Sequence, residues 1–116
     1  MANYNLAQRL LFDTVRTLAF GAIGAGYTAI GTATSFPARQ FMIQNLTNGN
    51  LMFSTDGVND MFPLAAGISW INDSTSNAVA KAGGFYLADG TILYVKQLGG
   101  APSSGSVYFT IIYGGQ

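Results

Sequence analysis

The 116-residue chain contains no histidine, no cysteine and no glutamate, and only ten of its side chains carry charge. Without histidine it lacks the side chain that most often moves protons near neutral pH. Without cysteine there is no thiolate nucleophile, no soft metal ligand and no disulfide to staple the fold. Serine and threonine are plentiful, but no histidine is present to activate them, and neither Lys81 nor Lys96 lies in a motif that would replace it. The five carboxylates are all aspartates, set beside Gly, Asn or Ser or at strand ends, where solvated turns account for them more simply than the paired acids of glycoside hydrolysis. These absences point away from an enzyme, and no cofactor or metal is expected.

Charge of either sign is equally scarce. Charged residues make up 9% of the chain, against about 25% in an ordinary soluble domain. Arg9, Arg16, Arg39, Lys81 and Lys96 balance Asp13, Asp56, Asp60, Asp73 and Asp89, and none of them cluster. A nucleic-acid footprint or an anionic membrane surface calls for clustered Lys and Arg, so neither partner is expected. No apolar run approaches the roughly 18 residues of a membrane span, and Asp13 and Arg16 interrupt the apolar stretch near the N-terminus that superficially resembles a signal peptide. Synthesis in the cytoplasm is the default expectation. Near-zero net charge also removes long-range repulsion between copies, which favours self-association.

What the chain has instead is 49% hydrophobic residues, 15 glycines, 6 tyrosines and 8 phenylalanines. From Val15 onward it alternates short runs of Val, Ile, Thr, Tyr and Phe with Gly, Asn, Asp, Ser and Pro, an all-β pattern. Strands are expected at 14–20, 26–31, 39–46, 50–54, 67–71, 84–87, 91–97 and 106–113. Eight short strands in about 100 residues fit an antiparallel β-sandwich of Greek-key or jelly-roll type, with a small closed barrel as the alternative. Asn48-Gly49 predicts a type I′ hairpin turn joining 39–46 to 50–54, and Asp89-Gly90 predicts a second hairpin joining 84–87 to 91–97. Phe41, Ile43 and Asn45 share one strand face, as do Val107, Phe109, Ile111 and Tyr113. The opposite face of the last strand, with Tyr108, Thr110 and Ile112, is not clearly polar, so both faces are expected to be covered.

Residues 1–13 break the β pattern, and residues 14–116 form the sandwich domain. Leu6, Leu10 and Leu11 follow a helix-like spacing too short for a stable isolated helix, so with Phe12 they read as an assembly arm whose apolar side chains need a partner surface. Gly21, Gly24 and Gly26 lack the spacing of a phosphate-binding loop and predict a turn instead. The run from Ser54 to Asp60 gathers oxygen ligands of the kind Ca²⁺ prefers, but it misses the EF-hand spacing, and turn chemistry accounts for it better. The aromatics of the second half, Trp70, Tyr86 and Tyr94 foremost, predict either a core margin, a protein interface or a sugar-stacking platform.

The stretch FPARQFMIQNLTNGNLMFSTDGVNDMFPLAAG, followed by GTILYVKQLGGAPSSGSVYFTIIYG, resembles a group of small virion proteins of tailed bacteriophages. The shared features are a Pro-Ala-Arg entry into a strand, an Asn-rich hairpin with STDGVND, an Ala-Ala-Gly turn and a Gly-Thr-x-x-Tyr-Val-Lys strand leading through Ala-Pro-Ser-Ser-Gly-Ser-Val-Tyr to a terminal Tyr-Gly. The resemblance spans roughly residues 18–114. It implies a β-sandwich that decorates or completes a particle at the capsid, neck or tail, with a copy of itself and other virion proteins as partners. It carries no catalytic motif. Gly90, Thr91, Tyr94, Val95, Lys96, Pro102, Gly105, Val107 and Tyr108 are the matching positions, and they are expected to specify fold rather than contact. The competing expectation is a carbohydrate-binding sandwich in which Trp70, Tyr86 or Tyr94 stacks on a sugar.

Overall fold

The computed structural model describes residues 9–73 and 87–115, and within them the chain is all-β. Its strands are β1 (Arg9–Phe12), β2 (Arg16–Ala19), β3 (Thr28–Ala29), β4 (Ala38–Asn45), β5 (Leu51–Ser54), β6 (Phe62–Leu64), β7 (Ser69–Asp73), β8 (Tyr94–Gln97) and β9 (Ser106–Gly115). They form two antiparallel sheets packed as a sandwich. In sheet A the order is β1-β9-β4-β7, with β2 continuing the line of β1 along the same edge of β9. In sheet B the order is β3-β8-β5-β6. From β2 to β9 the chain changes sheet at every connection except β5–β6, and the resulting order, 2-9-4-7 facing 3-8-5-6, is that of a jelly roll. A closed barrel is excluded by this two-sheet arrangement.

The alternation of apolar side chains builds the core. On sheet A, Phe41 and Ile43 of β4 pair across from Ile111 and Phe109 of β9, all facing inward. On sheet B, Phe53 pairs with Val95 and Leu51 with Leu64, and these four side chains are buried. Sheet-on-sheet packing of these two inner faces removes large apolar side chains from water and supplies the main stabilisation.

The expected Asn48-Gly49 hairpin is not formed. Strand β4 is flanked by β9 and β7, while β5 is flanked by β8 and β6, so neither has an edge left for the other. The connection from 46 to 50 instead crosses between the sheets, and Gly49 does not have the positive φ of a type I′ turn. Its role is close approach: a Cβ there would lie 3.1 Å from Cβ of Pro102. Asn48 contributes through its side chain, donating to Ser103 Oγ at 2.8 Å and accepting from the Ser103 amide at 2.8 Å.

The Asp89-Gly90 turn is present, with Gly90 at φ 81°, but it does not close a hairpin on β8. Both edges of β8 are taken by β3 and β5, and Leu87 bridges to Ala38 of β4. The remainder of the expected 84–87 strand lies outside the described residues. Strand β6 was not expected because it contains Pro63, which is tolerated there because β6 is an edge strand.

The crossing depends on Asn45, which is fully buried at the inner end of β4. Its amide nitrogen donates to the carbonyls of Gly49, Leu64 and Ala65 at 2.9, 3.0 and 3.2 Å. Its carbonyl oxygen accepts from the Thr47 amide at 3.1 Å and the Thr47 hydroxyl at 2.6 Å. One side chain thus holds both connections between the sheets at this end, 46–50 and 64–68. Gly105 closes the same end: at φ 86°, any Cβ would collide with the Leu46 carbonyl.

Asn45→Ala removes three donors from these carbonyls, of which Gly49 keeps the Thr47 hydroxyl and Ala65 the Ile68 amide, and it leaves the Thr47 amide without its acceptor; it is expected to cost about 2 kcal/mol in denaturant unfolding. Asn45→Asp should be more damaging at neutral pH, because it puts a carboxylate against the same carbonyls, and the excess loss should shrink as acid protonates it.

Candidate functional site: the outer face of sheet A

The two outer faces of the sandwich differ. Sheet B is covered by the loop that follows β5. The Gly57 backbone lies against the Tyr94 ring, so close that a Cβ would sit 3.3 Å from it. Further along the loop, Asp60 accepts from the Tyr27 hydroxyl at 2.7 Å and pairs with Lys96 at 3.0 Å, while the Lys96 ammonium stands 4.8 Å from the Tyr27 ring centroid. The loop is shaped by Asp56, whose carboxylate accepts from the amides of Val58 and Asn59, the Asn59 side chain and the Ser54 hydroxyl. These bonds, with the Asn59 and Val58 amides foremost, hold the Asp56 carboxyl well below the usual range. The oxygen-rich run is therefore a self-closed turn that caps the sheet, in line with the turn reading.

Sheet A has no such cover among the described residues. Its outward rows run Phe12–Ile112–Gln40–Asp73, Thr110–Met42–Ile71 and Tyr108–Gln44–Ser69, with Leu10 beside Gly114. Phe12 is 69% exposed, Ile71 66% and Leu10 50%. Asp73, at a corner, is the one charged side chain in these rows. Ile112 between Phe12 and Gln40 is only 9% exposed, so the exposed apolar side chains stand at the two flanks of the face, Leu10 and Phe12 on β1 and Ile71 on β7, and make it a candidate contact surface.

A β-bulge aims the N-terminal side chains onto this face. Phe12 lies opposite Ile112, but Arg16 lies opposite Phe109, so residues 13–15 span two residues of β9. The one-residue slip keeps Arg16 and Leu18 facing inward while turning Leu10 and Phe12 outward. Arg16, buried beneath the bulge, fixes it: Nη1 meets Asp13 Oδ2 at 3.0 Å and the Thr14 carbonyl at 3.1 Å, while Nε and Nη2 donate to the carbonyls of Thr32 and Ala33.

The sequence-predicted residues fall as follows. Residues 9–12 of the expected arm are a strand of sheet A rather than helical; Leu10 and Phe12 face out, Leu11 lies opposite Tyr113 on the inner side, and Leu6 lies outside the described residues. Trp70 faces between the sheets, its ring edge-on to Phe41 (5.3 Å) and Phe62 (4.8 Å). Tyr94 lies on the outer face of sheet B under Gly57, and Tyr86 lies outside the described residues. Trp70 and Tyr94 are thus on different sheets and form no common stacking platform. Met42 and Ile71 were not singled out in the sequence; their alternation was visible, but alternation alone does not tell which face is covered.

No protein-family model matches the chain, and no curated protein matches it significantly. Among the described residues, no helix is long and apolar enough to cross a membrane, and no three acidic side chains gather as a metal site.

Arg16→Ala is expected to destabilise the fold by about 3 kcal/mol, because it leaves Asp13 and two inter-sheet carbonyls unpaired. Burial, then the Asp60 hydrogen bond and charge, push the Tyr27 hydroxyl up to about 12, and the Tyr27 and Lys96 bonds lower Asp60. A raised phenol pKa contributes stability that is present below pH ~10 and lost toward pH 12, while the lowered Asp60 contributes above pH ~4 and is lost in acid. An ultraviolet titration should therefore show one late-ionising tyrosine that disappears in Tyr27→Phe.

Proposed function

We propose that this chain is a structural component of a tailed-bacteriophage virion, assembling in multiple copies through protein–protein contacts made by the outer face of sheet A. The observation that carries the reading is that face, which leaves Leu10, Phe12 and Ile71 exposed on one side of the sandwich, with Met42 half-buried beside Ile71. Zero net charge lets copies approach without long-range repulsion. The jelly-roll order is an architecture that recurs in capsid proteins, which supports the assignment at the level of fold, and the resemblance of residues 36–67 and 90–114 to phage virion proteins narrows it. Partners are a second copy and other virion proteins, and the virion is the place of action.

The test is a pair of surface variants, Phe12→Asp and Ile71→Asp. Both positions are exposed, so each should change unfolding stability by no more than about 0.5 kcal/mol. Sedimentation should show the parent above monomer size, or bound to a virion component, and the double variant released as monomer. A parent that stays monomeric and ignores virion proteins, or a selective hit on a glycan array that is lost in a Trp70→Ala variant shown to remain folded, would overturn the reading.

A further inference from the structure

The sandwich is not filled to the end where the strands of sheet B stop. Among the described residues sheet B ends at the Ser54–Tyr94 pair, whereas sheet A runs on through Phe41 and Ile111, and the irregular chain 87–93 lies beyond the end of sheet B. Between them lies a cavity of about 150 Å³. Four aromatic rings, Phe41, Phe62, Trp70 and Phe109, wall it together with Ile43 and Leu93, and among the described residues no polar atom faces its interior. The pocket is partly open, but a water inside it would find no hydrogen-bond partner on its walls, and its size and lining suit a guest of benzene dimensions.

The chamber has a chemically distinct mouth. Thr55, Leu87 and Thr91 border both the chamber and an open cleft of about 440 Å³ that includes Asp89 and Tyr94. At this border the Thr55 hydroxyl donates to the Met61 sulfur at 3.3 Å, a weak acceptor that a better one would displace at little cost. The Thr91 hydroxyl donates to the Ala88 carbonyl at 2.6 Å, which leaves its own oxygen free to accept. The mouth therefore offers one readily redirected donor and one acceptor, the complement of a single hydroxyl group. An apolar chamber rejects sugars and ions, whose polar groups would be desolvated without partners, and Asp89 outside it disfavours anions. The volume excludes long acyl chains.

We infer that this chamber is a binding site for one neutral single-ring molecule bearing a hydroxyl, a phenol in chemical class, with its ring among Phe41, Phe62, Trp70 and Phe109 and its hydroxyl between Thr55 and Thr91. The site is separate from the docking face: its walls point between the sheets, and its occupation does not depend on assembly.

Trp70 is the sole tryptophan, so its indole N–H resonance reports directly on the chamber. Phenol and benzene titrated into the full chain should each shift that resonance saturably, with a stoichiometry of one by calorimetry. Thr55→Val, a near-isosteric change at an exposed position, should weaken phenol about tenfold and leave benzene unchanged. Leu93→Phe, which fills the chamber, should abolish both. Absence of a saturable shift with either probe, or binding that survives Leu93→Phe in a folded protein, would overturn the site. If Leu93→Phe does not fold, the Thr55→Val comparison decides: equal effects on phenol and benzene, or none on either, would overturn the assigned hydroxyl position.

Discussion

A jelly roll asks the chain to leave one sheet and enter the other repeatedly, and each departure strands backbone groups that no ladder can satisfy. At one end of this molecule that demand falls on Asn45. Its primary amide supplies donors to carbonyls on both the β4–β5 and β6–β7 connections and takes the Thr47 donors in return. An apolar side chain would leave these groups unpaired, and the short planar amide of Asn offers two donors and an acceptor within reach of both connections. The core of Phe53, Phe109, Leu51 and Val95 stabilises two sheets; Asn45 decides how the chain is shared between them.

Arg16 does comparable work at the N-terminal edge. A buried guanidinium bonded to an aspartate and backbone carbonyls ties the bulge of sheet A to the turn at residues 32–33. Gly31 belongs to the same joint, since at φ 68° its missing Cβ leaves room for the aliphatic stem of Arg16 at 3.0 Å. Fold and surface are linked here, because the bulge that Arg16 secures is also what turns Leu10 and Phe12 toward solvent.

The fold class and most strand positions were legible because period-two alternation and turn residues are local signals. The inward faces of β4 and β9, down to Asn45 and Tyr113, follow directly from that alternation. Pairing was not legible. Asn48-Gly49 carries every local sign of a hairpin, yet its flanking strands are claimed by partners distant in sequence, and local turn preference yields to that competition. The site was half legible: Leu10 and Phe12 stood out as apolar residues without a strand pattern, whereas Ile71 and Met42 looked like any other alternating residues. What distinguishes them is a loop, 54–60, that folds over sheet B, while among the described residues nothing folds over sheet A.

On the proposed assembly, that loop sets the valence of the molecule. Gly57 and Asp60 occupy the surface above Tyr94 and Lys96, and Pro63 and the two-residue β3 blunt the edges of sheet B, so this side is closed off, whereas among the described residues the outer face of sheet A is open. If assembly runs through sheet A, a copy can close a pair or coat a platform with its closed side outward, and growth through this face stops after a single layer.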